Sequence, residues 1–209
     1  MYSQYGIEYL LDALLPSMGI FLEIGAWDGT HFSHSKHLEE KGWSGLCVDP
    51  FPKNFEDRSC SFMKAAISKD GLTREFVKVT IDRRDGGDVS YLSGFKNSLG
   101  VHWKMIKEYC DYEIILIETM TMSALYDACS LPQHIDFLSV DVEGAELEVF
   151  NGIDFSFHTF GIIVFEHNGI MEVQHKIGEI LHRYGYLRYL VPGLKWDDMY
   201  RRVLNESDT

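Results

Sequence analysis

A carboxylate two residues ahead of a glycine, at the end of an apolar run, is the sharpest chemical signal in this sequence. The run reads Phe21-Leu22-Glu23-Ile24-Gly25-Ala26-Trp27-Asp28-Gly29. A glycine after a buried strand lets the backbone approach a ligand closely and turn tightly into a helix. A dinucleotide site would show G-x-G-x-x-G to cradle a pyrophosphate. Here only Gly25 and Gly29 are present, and Glu23 would repel a pyrophosphate. The same carboxylate suits the ammonium and sulfonium charges of S-adenosylmethionine. Asp49 follows Gly25 by 24 residues and closes the next apolar run, where an acidic side chain can accept both ribose hydroxyls. Either acid alone is as readily a helix cap or a solvated turn. Their pairing points to an adenosyl ligand.

A second group of candidates ends the later apolar runs. Asp141 closes Ile135 to Val140, Glu143 follows two residues on, and Glu166-His167-Asn168 closes Gly161 to Phe165. Group transfer from a ligand held here needs an aligned acceptor and, where a proton is lost, a base. Asp141, Glu143, Glu166 and His167 are the candidates, His167 because its ordinary pKa suits a base at neutral pH. Glu146 and Glu148 read as charges in the first turn of a helix. Asp141, Glu166 and Asn168 also offer oxygens for a Mg²⁺-assisted activation. Such oxygens are common at strand ends, so no metal ligand is assigned. His31, His34 and His37 recur every three residues but drift around a helix, and read as a polar helix surface.

These residues need a scaffold that brings strand ends together. Buried strands are expected at Gly19 to Ile24, Leu46 to Asp49, Phe62 to Ile67, Glu75 to Thr80, Glu113 to Thr119, Ile135 to Val140, Gly161 to Phe165 and Leu187 to Val191. Helical patterns fall at Thr30 to Lys41, Met122 to Cys129, from about Gly144, and at Glu172 to Tyr184. Apolar runs alternating with amphipathic stretches signal βαβ units. The expectation is an α/β, Rossmann-like, doubly wound, mostly parallel sheet with helices on both faces, binding its ligand beyond the strand carboxyl ends. One domain over residues 1–209 is expected. Residues 81–107, with Arg83, Arg84, Lys96, Tyr91, Phe95 and Trp103, form a basic and aromatic excursion that reads as a substrate lid or a surface insertion.

The balance of 19 basic against 32 acidic residues gives a net charge of −13, which argues against a nucleic-acid partner because phosphate binding is carried by Lys and Arg. Four scattered cysteines without a C-x-x-C pair suggest reduced thiols. No secretory signal or membrane span is visible, so a cytoplasmic location is expected. Oligomeric state is not legible.

Three segments together resemble the FkbM-type methyltransferases: 21–29, Gly42 to Pro50, and Ile135-Asp136-Phe137-Leu138-Ser139-Val140-Asp141-Val142-Glu143-Gly144-Ala145-Glu146. Ser3-Gln4-Tyr5-Gly6, Arg58-Ser59-Cys60 and Ala65-Ala66-Ile67-Ser68 are similar to that family as well. The resemblance implies a class I methyltransferase architecture, S-adenosylmethionine, and O-methylation of a small molecule or glycan. It implies that Glu23 and Gly25 hold the methionine part, with Ala26, Asp28, Gly29 and Ser33 in the same turn. Asp49 and Pro50 would meet the ribose, Ala66 and Ile67 would border the adenine, and Asp141 would face the cofactor. Two positions depart from the family: Ser139 stands where a Lys is common, and Ser33-His34-Ser35 where S-N-T is usual. A non-catalytic protein keeping the fold and cofactor is the alternative reading.

Overall fold

The computed structural model describes residues 1–203, so the last six residues of the expected 1–209 domain lie outside the described part. Eleven strands are present among the described residues: β1 (Ile20–Ile24), β2 (Ser44–Val48), β3 (Ser61–Met63), β4 (Ala66–Ile67), β5 (Thr73–Asp82), β6 (Gly94–Phe95), β7 (Cys110–Met120), β8 (His134–Val140), β9 (Thr159–Glu166), β10 (Tyr186–Tyr189) and β11 (Asp197–Arg202). The helices are α1 (Glu8–Leu14), α2 (Lys36–Glu40), α3 (His102–Tyr109), α4 (Met122–Cys129), α5 (Glu146–Asn151) and α6 (Met171–Arg183).

Seven strands form one sheet in the order β10-β11-β9-β8-β1-β2-β3. β1 lies between β2 and β8 and is parallel to both, with Leu22 beside Leu46 on one flank and Leu138 on the other. β3 and β9 extend the parallel set, while β11 runs antiparallel to β9 and β10. Side chains alternate between faces along a strand, and both faces here are apolar. Leu22, Ile24, Leu138 and Val140 pack with Leu125 of α4, Phe150 of α5 and Leu181 of α6. Phe21, Cys47, Phe137 and Val164 pack with Leu11 of α1 and Leu38 of α2. A strand buried on both faces has no room for an unpaired charge, so Glu23, on the same side of β1 as Phe21, must find partners.

A second sheet, β4-β7-β5-β6, is built from the middle of the chain. β5 and β7 form a long antiparallel ladder with an irregularity between Val79 and Asp82. Residues 81–107 are an ordered part of this unit. They contribute β6 and α3, and Leu92, Leu99 and Ile106 pack against Val77 and Val79 of β5.

Several elements differ from the sequence reading. The helix expected at 30–41 is reduced to α2, because polar side chains redirect the backbone before it. Asp28 Oδ1 accepts the N–H groups of Thr30 and His31 at 2.9 and 2.8 Å, and Phe32 takes a left-handed φ of 61°. Such local acceptors compete with helical hydrogen bonds. The single strand expected at 62–67 is two, β3 in the large sheet and β4 in the small one. α1, β6 and β11 carry no clear periodic signal, and α3, although amphipathic, begins within the excursion 81–107; none of the four is among the expected elements. No described helix is long and apolar enough to cross a membrane.

Candidate functional site

A cavity of about 600 Å³ opens at the carboxyl ends of β1, β2 and β8. Its floor is the turn after β1. The Gly25 N–H donates to the Val48 carbonyl at 2.8 Å, and Asp141 N–H donates to the Ile24 carbonyl at 2.9 Å. The three strand ends are thereby tied together. Gly25 has φ of 87°, and a Cβ there would lie 1.5 Å from the Asp141 carbonyl oxygen. No L side chain fits that position. Gly29, with φ of 72°, closes the turn beneath Phe55 and Arg58.

Glu23 meets its need for partners with the segment that follows. Its Oε2 accepts from Ser33 Oγ at 2.8 Å and Ser35 Oγ at 2.6 Å, and its Oε1 accepts from His34 N–H at 2.8 Å. Arg58, fully buried, places Nη1 3.6 Å from Glu23 Oε2 and donates from Nε to Glu39 Oε2 at 2.8 Å. Burial alone would raise the Glu39 carboxyl. The Ser59 N–H, Arg58 and Cys60 outweigh it and hold Glu39 down at about 2. Glu23 is therefore one end of a buried hydrogen-bonded network as well as part of the cavity wall.

Asp49 lies at the end of β2. Its Oδ2 accepts the Trp27 N–H at 3.0 Å and its Oδ1 the Phe51 N–H at 2.7 Å. Burial pushes its pKa up against these two bonds. Each oxygen keeps a further lone pair, and Asp49 lines the cavity beside Pro50, Ala66 and Ile67.

The opposite wall is acidic. After β8 the chain turns through Glu143, at φ of 54°, and Gly144, at φ of 96°. Glu146, 1% exposed, holds this turn: its Oε1 accepts from both Val142 N–H and Gly144 N–H at 3.0 Å. Burial pushes its pKa up to about 7. A Cβ on Gly144 would sit 2.1 Å from the Ser98 carbonyl, so the middle-chain unit packs directly on the acidic turn. Carboxylate oxygens of Asp141, Glu143 and Glu166 all lie within 4.8 Å of one another. Such groups cannot all stay charged without a proton or a cation among them. Burial first, and then Glu143, Glu146 and Asp197, push Glu166 up to about 9, while its Oε2 accepts from Asn168 Nδ2 at 2.6 Å. Burial and then Glu166 and Glu143 raise Asp141 in the same way. Asp141 Oδ1 is buried with no hydrogen-bond partner.

The cavity wall thus gathers Glu23, Gly25, Ala26, Ser33, Asp49, Pro50, Ala66, Ile67, Asp141, Glu143 and Glu166. Three expected residues lie outside it. Asp28 and Gly29 shape the turn beneath. His167 points away from the cavity: its Nδ1 accepts the Gly169 N–H at 3.1 Å, and its Nε2 lies 3.2 Å from Gln174 of α6 and 3.7 Å from Asp198 of β11. Burial lowers its pKa. His31, His34 and His37 do not share a helix surface. They bond Asp28, Ser139 and Asp12 respectively.

Further residues complete the wall, of which His102 and Phe32 are not singled out by the sequence. His102, the first residue of α3, places Nδ1 3.0 Å from Glu143 Oε2. Trp27 stacks edge-on with Tyr91 at 5.3 Å, and Phe32 meets the same ring at 5.9 Å. Trp27 Nε1 donates to Ser90 Oγ at 2.8 Å. The aromatic content of 81–107 was visible in sequence, but nothing local linked His102 to a residue 41 positions later.

No curated protein matches the chain at a significant level of similarity. The model of the methyltransferase FkbM domain matches residues 23–188, which span the first turn, Asp49, the acidic turn, the middle-chain unit and Glu166. The chain belongs to the FkbM-type methyltransferase family.

Proposed function

We propose that this protein is an S-adenosylmethionine-dependent methyltransferase acting on a hydroxyl of a small molecule or glycan. The observation that carries the reading is the cavity at the ends of β1, β2 and β8, with Asp49 on one side and the unpartnered Asp141 Oδ1 on the other. The strand order runs outward from β1 through β2 to β3, and on the other side through β8 to β9. That reversal of direction at β1 supports the reading of a doubly wound, Rossmann-like sheet, in which ligands bind at the switch point. About 600 Å³ suits a nucleoside-sized ligand.

The donor set fits the cofactor. Asp49 can accept two ribose hydroxyls, Ala66 and Ile67 offer an apolar edge to the adenine, and the orphaned Asp141 oxygen suits an ammonium. When bound, the cofactor supplies a methyl group on a positively charged sulfur. The chain orients the acceptor in front of it, excludes water and removes a proton. Trp27, Phe32 and Tyr91 present aromatic faces at the cavity, suited to the apolar face of a sugar ring. The acidic wall disfavours an anionic acceptor, in keeping with the net charge of −13. Mg²⁺ has no part in this reading, and the location proposed is cytoplasmic.

Calorimetric titration with S-adenosylhomocysteine tests the cofactor site. Micromolar binding by the wild type, lost in Asp49→Ala, is expected. No binding by folded wild type overturns the reading. Binding without transfer to any hydroxylated acceptor would favour the non-catalytic alternative.

A further inference from the structure

We propose that His102 is the base that takes the acceptor's proton, with Glu143 as the residue that positions its ring. The proposal rests on the methyltransferase reading above and assigns a residue to its proton step. As the acceptor oxygen bonds to the methyl carbon, the methyl–sulfur bond breaks with its electron pair on sulfur. The hydroxyl proton passes to Nε2 of His102, and the resulting imidazolium faces Glu143.

Geometry supports this assignment at both ring nitrogens. Nδ1 lies 3.0 Å from Glu143 Oε2, and a charged carboxylate only accepts, so the neutral ring carries its hydrogen on Nδ1. The lone pair is then on Nε2, which has no hydrogen-bond partner among the described residues, on a side chain 27% exposed at the cavity. Glu143 cannot drift, because its turn is held by Glu146 and backed by Gly94, where a Cβ would come within 3.2 Å of the Glu143 Cβ. Its left-handed φ of 54° is a conformation that a non-glycine residue adopts at a cost. The result of that cost is a carboxylate aimed at His102.

The other candidates are less suited. Burial pushes Asp141 and Glu166 toward the protonated form, helped by Glu166 and Glu143 at Asp141 and by Glu143, Glu146 and Asp197 at Glu166, and a protonated carboxyl is no base. Glu146 is spent on backbone N–H groups. His34 is 6% exposed with Nδ1 on Ser139, and His167 lies outside the cavity. His34 also lines the cavity and its buried Nε2 has no hydrogen-bond partner, but its Nδ1 meets a serine rather than a carboxylate; His31 Nδ1 meets Asp28 Oδ2 at 2.6 Å, but its side chain is 72% exposed. His102 is more sheltered, and its partner lies two residues from Asp141. The charges that reach its ring are Glu143 and Glu146, and Glu143 raises its pKa against burial. Tyr91 stands nearby on the preceding 3₁₀ turn, itself raised by burial and by Glu143.

The test reads the ring first and transfer second. Long-range ¹⁵N–¹H spectra of the cofactor-free protein at pH 9 should show His102 neutral, with hydrogen on Nδ1. Glu143→Ala should return the ring to the Nε2–H form that free histidine favours. An Nε2–H ring in the wild type, or one indifferent to Glu143→Ala, overturns the proposal. For transfer, labelled S-adenosylmethionine is offered with a panel of methyl pyranosides. His102→Asn should slow transfer at least about 100-fold, while S-adenosylhomocysteine affinity stays within about threefold. An unchanged rate in His102→Asn, or that loss appearing in His31→Asn instead, overturns it. If wild type transfers to no pyranoside, the ring spectra alone decide. They need no cofactor and the calorimetry needs no base, so failure of the cofactor reading and failure of this one are told apart.

Discussion

Replacing Arg58 with Met should cost the fold about 3–5 kcal/mol, the range for removing one partner of a buried ion pair. The guanidinium is fully buried. It donates to Glu39 Oε2, to the Gly29 carbonyl and to the hydroxyls of Ser33 and Ser35, and it faces Glu23. Met fills a similar volume without charge. Two buried carboxylates would be left without their cation, and two hydroxyls and a carbonyl without a donor. Domains are stable by about 5–15 kcal/mol, so the loss is a large share of the total. Urea unfolding followed by tryptophan fluorescence reads it as a lower midpoint at unchanged slope. The double variant Arg58→Met/Glu39→Gln should recover about 2 kcal/mol of the summed single losses, because these residues touch. Acid offers a second readout. Glu39 is held at about 2 against an ordinary 4.5, so its ionised form stabilises the fold above pH 4.5, and that contribution is lost as pH falls through 2. The span corresponds to about 3 kcal/mol. In Arg58→Met that acid-side loss should shrink. A single-variant loss under about 1 kcal/mol, or strictly additive effects, would refute the argument that this network supports the cofactor turn.

Other perturbations separate the turn, the acidic wall and the scaffold. Gly25→Ala places a methyl inside the Asp141 carbonyl, so S-adenosylhomocysteine binding should vanish and the melting temperature fall. A variant that binds normally would contradict the packing. Glu166, raised to about 9, costs stability progressively as pH rises from 4.5 toward 9. Glu166→Gln should remove that slope and exceed the wild type in stability at pH 9, and unfolding at pH 5, 7 and 9 checks the sign. Thr121→Ala removes the bond from Ala124 N–H to Thr121 Oγ1 at the start of α4, at about 1 kcal/mol, with no change in S-adenosylhomocysteine affinity. Methyl transfer should survive EDTA. Loss with EDTA and recovery with Mg²⁺ would move hydroxyl activation from His102 to the carboxylates.

The parts of this protein that follow from periodicity were legible in its sequence. The runs around Leu22, Leu138 and Ile163 are apolar because both sheet faces are covered, and α4 falls at Met122–Cys129 as its pattern indicates. Gly25 was legible for a different reason: a glycine after a buried strand has few purposes, and here the Asp141 carbonyl occupies the space a Cβ would need. Residues 30–35 depart from the expected helix because their course is set by Asp28 and Glu23 acting as local acceptors, which helical periodicity does not register. β11 was missed because Asp197 and Asp198, 4% and 2% exposed, look like surface residues in sequence. His167 and His102 show the limit of strand-end reasoning. Consecutive side chains at a strand end take opposite sides of the sheet, so with Glu166 and Asn168 at the cavity His167 turns away, and His102 reaches the cavity from an insertion.

The acidic wall is hard to explain as a stability device. Asp141, Glu143, Glu146 and Glu166 crowd one turn and one strand end, with Asp197 beside them, and each burial of a carboxyl opposes folding. Surface positions would cost nothing. Clusters of perturbed carboxyls in a cleft are where function concentrates, and here each member has a separable task. Glu146 fastens the turn. Burial and their neighbours raise Glu166 and Asp141 toward the protonated state, and a cationic ligand set against them would favour the charged form again. Glu143 reaches out of the cluster to a histidine, His102. The 3.0 Å contact between Glu143 Oε2 and Nδ1 sets which ring nitrogen of His102 carries the hydrogen. A carboxyl that does no proton transfer thereby sets the tautomer of the residue that does.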